Sequence, residues 1–237
     1  MSARGPLSSS VFVAGTDTGI GKTFASCALL HALRAAGLRA SGMKPVASGC
    51  GRTREGLRNE DALALIEASD PRPDYAICNP YAFEPAIAPH LAADDAGARV
   101  DPAVIASAFA QLATRADIVV VEGVGGWMVP LSDTLDAGAI PRALDLPVIL
   151  VVGLRLGCIN HARLSARAIL DDGCKLLGWI GNAIDPGMAR RADNLATLRR
   201  LLPAPCLGAL EHGVDPATAA RAGMLNDAVA ALRSGTG

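Results

Sequence analysis

Short apolar runs rich in β-branched residues alternate along the chain with longer stretches in which Ala and Leu recur at helical spacing. Val11–Ala14, Arg39–Lys44, Asp117–Val121, Pro147–Val152, Leu176–Asn182 and Cys206–Leu210 read as strands. Lys22–Ala36, Asp61–Glu67, Pro102–Arg115, Cys158–Asp171 and Met188–Leu202 read as helices. Strands that follow helices in this order predict βαβ units, hence an α/β fold with a mostly parallel sheet and helices on both faces. One helix carries all its own signals. Asp101 suits the N-cap and Pro102 the first helical position, and Val104, Ile105, Ala108, Phe109 and Leu112 form an apolar stripe. Between Ser69 and Pro89, five prolines and weak periodicity predict a surface excursion, with a short strand near Cys78–Tyr81.

At 237 residues, 51% of them hydrophobic, the chain is long enough for a sizeable core and is expected to form one domain over 1–237, with a polar N-terminal tail at 1–9. Twenty-two Lys and Arg against 23 Asp and Glu leave a net charge of −1, without runs of one sign. That balance argues against nucleic acid or an anionic membrane as partner. The longest apolar run, Leu146–Leu154, is far short of the ~20 residues a membrane span needs. Met1–Ser10 has no apolar signal-peptide core, so a cytoplasmic location is expected. The six scattered cysteines form no C-x-x-C pair and read as reduced thiols, mostly core fillers. Neither H-E-x-x-H nor G-x-S-x-G occurs, which sets zinc and serine-hydrolase chemistry aside.

The first strand runs into Gly15-Thr16-Asp17-Thr18-Gly19-Ile20-Gly21-Lys22-Thr23 and then a helix. This is a P-loop, with its first glycine one residue earlier than in G-x-x-x-x-G-K-[ST]. Its glycines let successive N–H groups turn toward phosphate oxygens, and the helix start adds positive potential. Lys22 would reach the β/γ-phosphates and the Thr23 hydroxyl would face Mg²⁺. The expected fold is therefore of the P-loop NTPase type. Glu122, at the carboxyl end of an apolar strand and before Gly123-Val124-Gly125-Gly126, stands where a second metal ligand belongs. Asp61 reads either as a further ligand or as a helix-start carboxylate stabilised by the dipole. Lys44 ends the second strand: it is either a solvated surface group or a cation that neutralises charge developing in phosphoryl transfer.

With these residues in view, G-T-D-T-G-I-G-K-T, K-P-V-A-S-G, E-G-L-R-N-E-D-A-L-A-L, V-E-G-V-G-G-W and P-V-I-L-V-V-G-L-R-L-G-C-I-N-H-A together resemble the dethiobiotin synthetase family, in the family's order, over about residues 11–210. The resemblance implies a homodimeric enzyme of biotin biosynthesis that makes dethiobiotin from 7,8-diaminononanoate, CO₂ and ATP with Mg²⁺. It implies that Thr23, Asp61 and Glu122 hold Mg²⁺, and that Lys22 and Lys44 contact the transferring phosphoryl group. Gly19, Ile20, Gly21, Phe24, Gly123 and Gly125 would complete the nucleotide site, Asn182 would read adenine and Pro203 would border the base. Thr18 and Ser48 would lie beside the diamine and its carbamate. The helix start at Gly157, Cys158 and Asn160 would receive the substrate carboxylate across the two-fold interface, so that the two subunits share their sites. One departure stands out, since relatives often carry Glu where this chain has Gly19, so no acid/base role is assigned there. Two rivals weigh less. A partitioning-type ATPase usually carries an extra lysine early in the loop, where this chain has Gly15-Thr16-Asp17-Thr18, and a cobyrinate-type amidotransferase needs a glutaminase region for which the length leaves no space.

Overall fold

The computed structural model describes residues 10–234, so the polar tail expected at 1–9 lies outside the described residues. From the N-terminus come β1 (Val11–Gly15), α1 (Lys22–Ala35), β2 (Ala40–Met43), β3 (Val46–Ala47), β4 (Gly51–Thr53), β5 (Gly56–Arg58) and α2 (Glu60–Ala68). Next are α3 (Tyr75–Cys78), β6 (Tyr81–Ala82), α4 (Pro89–Asp95), α5 (Pro102–Ala113), β7 (Ile118–Glu122), α6 (Ala139–Leu144) and β8 (Val148–Gly153). The chain closes with α7 (Cys158–Asp171), β9 (Leu176–Asn182), α8 (Arg191–Leu201), β10 (Cys206–Leu210), α9 (Pro216–Arg221) and α10 (Asn226–Ser234).

Six strands form one sheet in the order β10-β9-β8-β1-β7-β2, every pair parallel. The two-residue period of a strand divides its side chains between two cores. Val11, Val13, Ile118, Val120, Ile149 and Val151 pack on one face with Leu29, Leu30 and Leu33 of α1 and with α9 and α10. Phe12, Ala14, Val119, Val121, Leu150 and Val152 face the other way, toward α5, α7 and α8. Burying each such side chain contributes about 1.5–3 kcal/mol, which is why helices must cover both faces. Asp101 caps α5 as its sequence signals, its carboxylate accepting from the Ala103 N–H at 2.8 Å.

The connections determine where a ligand fits. From β1 the chain crosses by α1 to β2 at one edge, returns to β7, then passes β1 to reach β8 on the other side. The strand order reverses at β1, and open α/β sheets bind ligands outside the carboxyl ends of strands at such a reversal. The loop after β1 is the P-loop. The 69–89 excursion departs from expectation. Tyr75–Cys78 is helical and the strand beyond it is Tyr81–Ala82, paired with β3. The segment does run over the surface, with Asp70, Arg72, Asp74, Ala76, Glu84 and residues 86–88 exposed, but Cys78 and Phe83 are buried and anchor it, and its prolines break it into pieces too short to show a period. The exposed β4-β5 hairpin was likewise not foreseen.

Candidate active site

Gly19 and Gly21 take φ of 72° and 81°, left-handed values that shape the P-loop. A Cβ on Gly21 would collide with Nδ2 of Asn182, on a left-handed backbone that already strains any side chain there. A Cβ on Gly19 would meet nothing within 4 Å, so there only the left-handed backbone disfavours a side chain's first carbon. Helix α1 begins directly after Gly21 with no side-chain cap, leaving its first N–H groups available to an anion.

Lys22 is buried, and its Nζ donates to the carbonyls of Asp17 at 2.9 Å and Gly125 at 2.8 Å. Burial, helped by repulsion from Lys44, lowers its pKa to about 8 against the attraction of Glu122, Asp61 and Asp17. Lys44 is only 3% exposed and is no solvated surface group. Its Nζ lies 2.6 Å from Oε1 of Glu122, 3.2 Å from Oδ2 of Asp61 and 3.1 Å from the Gly123 carbonyl. Burial works against the Lys44 charge, yet Glu122 and Asp61 outweigh it and raise the pKa. Burial likewise opposes the charge on Asp61, and chiefly the attraction of Lys44 carries its pKa below the usual carboxylate range. The Thr23 hydroxyl donates its one proton to Oε1 of Glu122 at 2.8 Å.

Thr18, Gly19, Gly21, Lys22, Thr23, Lys44, Ser48, Asp61, Glu122 and Gly125 all line one cleft of about 780 Å³. Asn59, Ala86, Ile87, Ala88, Pro89, Val129 and Pro130 line it too, and sequence reasoning did not single these out. Asn59 had a legible signal, since it caps α2 by accepting from the Ala62 N–H. The apolar wall at 86–89 had none. Ile20 is buried beneath the loop, Gly123 supplies a carbonyl to Lys44, and Phe24 packs against the core from α1. Asn182 does not reach the cleft: its Nδ2 donates to the Ile20 carbonyl at 2.9 Å and braces the P-loop from below. Pro203 is exposed on the loop after α8, and Gly157, Cys158 and Asn160 stand outside this cleft at the start of α7. The six cysteines are unpaired, four of them buried.

The oxygen set fits Mg²⁺. Glu122 is wholly buried and its Oε2 accepts no hydrogen bond, an unbalanced acceptor at the mouth of an anion site. Two carboxylates and one hydroxyl, with no nitrogen or sulfur ligand, are what a hard cation takes when phosphates and waters supply the remaining positions. Among the described residues no group of three or more His, Cys, Asp or Glu gathers.

A P-loop at the strand-order reversal, two lysines and a hard-oxygen set define a P-loop nucleoside triphosphate-binding protein. Its fold is similar to that of the MinC:MinD cell division protein complex of Aquifex aeolicus, at a TM-score of 0.56 and 14% identity over 94% of this chain and 93% of that one. A ParA family ATPase from Chlorobium tepidum aligns at a TM-score of 0.52 and 13% identity, covering 97% and 93%. A family model described as an AAA domain matches residues 9–216. ATP-dependent dethiobiotin synthetase from Xylella fastidiosa is 59% identical over 215 residues, 90% of this chain and 95% of that protein. The enzyme of the same name from Xanthomonas euvesicatoria is 61% identical over 211 residues, 88% and 94% of the two chains. The chain belongs to the dethiobiotin synthetase family. No helix among the described residues is long and apolar enough to cross a membrane.

Proposed function

We propose that this protein closes the ureido ring of dethiobiotin from 7,8-diaminononanoate, CO₂ and ATP, acting as one domain in the cytoplasm, where ATP is supplied. The observation that carries the reading is the pair of buried lysines converging with Glu122 at the P-loop, beside an apolar wall at Ala86–Pro89 that suits an aliphatic chain. One unprotonated amine of the substrate adds to CO₂, releasing a proton and leaving a carbamate. A carbamate oxygen attacks the γ-phosphorus in line and ADP leaves, giving a carbamic-phosphoric anhydride. The second amine then attacks the carbamoyl carbon, loses its proton and expels phosphate. Thr18 and Ser48 orient the diamine and its carbamate. Lys22 leaves its carbonyl partners for the β/γ-oxygens, and Lys44 neutralises charge on the transferring group, as positioning and electrostatics do in phosphoryl transfer generally. Thr23, Asp61 and Glu122 would hold Mg²⁺, which when bound supplies charge neutralisation at the phosphates.

We further propose a homodimer in which Gly157, Cys158 and Asn160 of one subunit serve the cleft of the other. Leu156 is 94% exposed and Leu164 is also exposed, so the α7 start presents apolar surface beside a helix N-terminus that has no side-chain cap, although the Cys158 N–H already donates to the Arg155 carbonyl. Asn182 and Pro203 would meet the adenine, Asn182 by turning from its brace on Ile20. Incubating the protein with ATP, Mg²⁺, bicarbonate and 7,8-diaminononanoate should yield dethiobiotin by mass, with ADP and phosphate formed only when the diamine is present. Diamine-independent ATP hydrolysis without the product would overturn the reading.

A further inference from the structure

The structure assigns Arg155 as a positioning residue that fixes the crest of the P-loop and ties it to the start of α7. This rests on the P-loop binding ATP, as proposed above, but not on the second substrate. Asp17, at the crest, makes three contacts at once. Its backbone carbonyl accepts from Nζ of Lys22 at 2.9 Å, its Oδ1 accepts from the Thr18 N–H at 2.7 Å, and its Oδ2 pairs with Nη2 of Arg155 at 2.5 Å. Arg155 comes from the loop after β8, the strand beside β1. The same loop is tied a second time, because the Leu154 N–H donates to the Asn182 carbonyl at 2.7 Å while the Asn182 amide donates to Ile20 at 2.9 Å. The P-loop is thus held at both ends of its crest, at Asp17 and at Ile20.

The other side of the Arg155 contact is the helix. Its carbonyl accepts from the Cys158 N–H at 3.0 Å, at the first turn of α7, and Gly157 between them takes φ of 94°. Only one residue, Leu156, separates Arg155 from that glycine. When Lys22 leaves the Asp17 carbonyl for phosphate, Asp17 is the residue that must adjust, and its carboxylate transmits the adjustment through Arg155 to the backbone that begins α7. Nucleotide occupancy is therefore felt at the start of α7. Both side chains are partly exposed, so the pair's strength is modest. Its value lies in which two loops it joins.

The test compares wild type, Arg155→Ala, Arg155→Lys, Asp17→Asn and the Arg155→Ala/Asp17→Asn double variant. Asp17→Asn keeps an acceptor for Thr18 while removing the charge. Titrated with a fluorescent ATP analogue and Mg²⁺, Arg155→Ala should bind about three- to fivefold more weakly, and Arg155→Lys should recover most of the loss. The double variant should be no worse than the weaker single variant, as for two residues acting through one contact. Hydrogen exchange at amides 157–161 should slow on nucleotide binding in wild type and in Arg155→Lys, but not in Arg155→Ala. Wild-type affinity in Arg155→Ala, additive losses in the double variant, or equal protection of 157–161 in Arg155→Ala and wild type would each overturn the assignment. A wild-type protein that binds nucleotide but makes no dethiobiotin would strike the proposed reaction and leave this linkage standing.

Discussion

Replacing Lys44 with Met removes a buried charge while nearly conserving the side chain's length and shape. The perturbation leaves Glu122 wholly buried with the Thr23 hydroxyl as its remaining donor. At 2.6 Å, the Lys44–Glu122 attraction amounts to about 6 kcal/mol at an effective dielectric of ~20, before any desolvation is charged against it. Breaking one partner of a buried pair costs ~3–5 kcal/mol net, because the survivor keeps its desolvation penalty without its partner. Lys44→Met should therefore lose about that much stability. Adding Glu122→Gln, which removes the stranded charge, should recover about half of the loss or more. Urea unfolding followed by the fluorescence of the buried Trp127 and Trp179 reads both, provided the slope with denaturant stays constant. A loss below ~1 kcal/mol for Lys44→Met, or no recovery in the double variant, would show that the Lys44–Glu122 pair does not stabilise the fold in this way. In turnover, Lys44→Met should lower kcat more than it weakens ATP binding, as for an interaction that strengthens in the transition state.

Thr23→Val, Asp61→Asn and Glu122→Gln should each raise the Mg²⁺ concentration giving half-maximal activity, since a hard cation needs oxygen ligands and charge, and a metal titration checks each. Burial pushes the Cys27 and Cys78 thiols up to about 12, so iodoacetamide at pH 8 should label the half-buried Cys174 and Cys206 first, which peptide mass spectrometry resolves. For the shared site, mixing Lys22→Ala subunits with subunits bearing a bulky residue at Gly157 should restore activity as subunits exchange. One site of each mixed dimer then carries both lesions and the other carries neither, and verified exchange without recovery would rule out sharing.

The six-stranded sheet was legible because runs such as Val148–Val152 are apolar on both faces, which only a covered parallel strand requires. The β4-β5 hairpin was not, because Gly51–Arg58 is exposed and mostly polar, so no burial pattern marks it. Helix α3 escaped for a different reason: four residues between prolines are too few to show a helical period. At the site, the helix start after the P-loop pointed to Thr23 and the ends of two strands to Lys44 and Glu122; the structure brings the three into one cleft and buries Lys44, which removes the solvated-surface alternative for it. What sequence could not reveal are contacts made across long separations by backbone atoms, such as Lys22 on the Gly125 carbonyl or Asn182 on Ile20. The Asp17–Arg155 pair did leave a trace, two opposite charges just beyond the ends of what prove to be neighbouring strands, but strand order is needed to read it.

In the proposed reaction a carbamate oxygen attacks the γ-phosphorus of ATP in the cleft between Lys22 and Lys44. Freshly dissolved CO₂ carrying oxygen-18 on both oxygens, mixed rapidly with the protein, Mg²⁺-ATP and 7,8-diaminononanoate, follows that oxygen directly. One labelled oxygen should appear in the released phosphate and the other in the ureido carbonyl of dethiobiotin, as mass spectrometry of both products would reveal. Unlabelled phosphate formed alongside labelled dethiobiotin would contradict the proposed reaction, because the phosphoryl group would then have gone to water or to another acceptor.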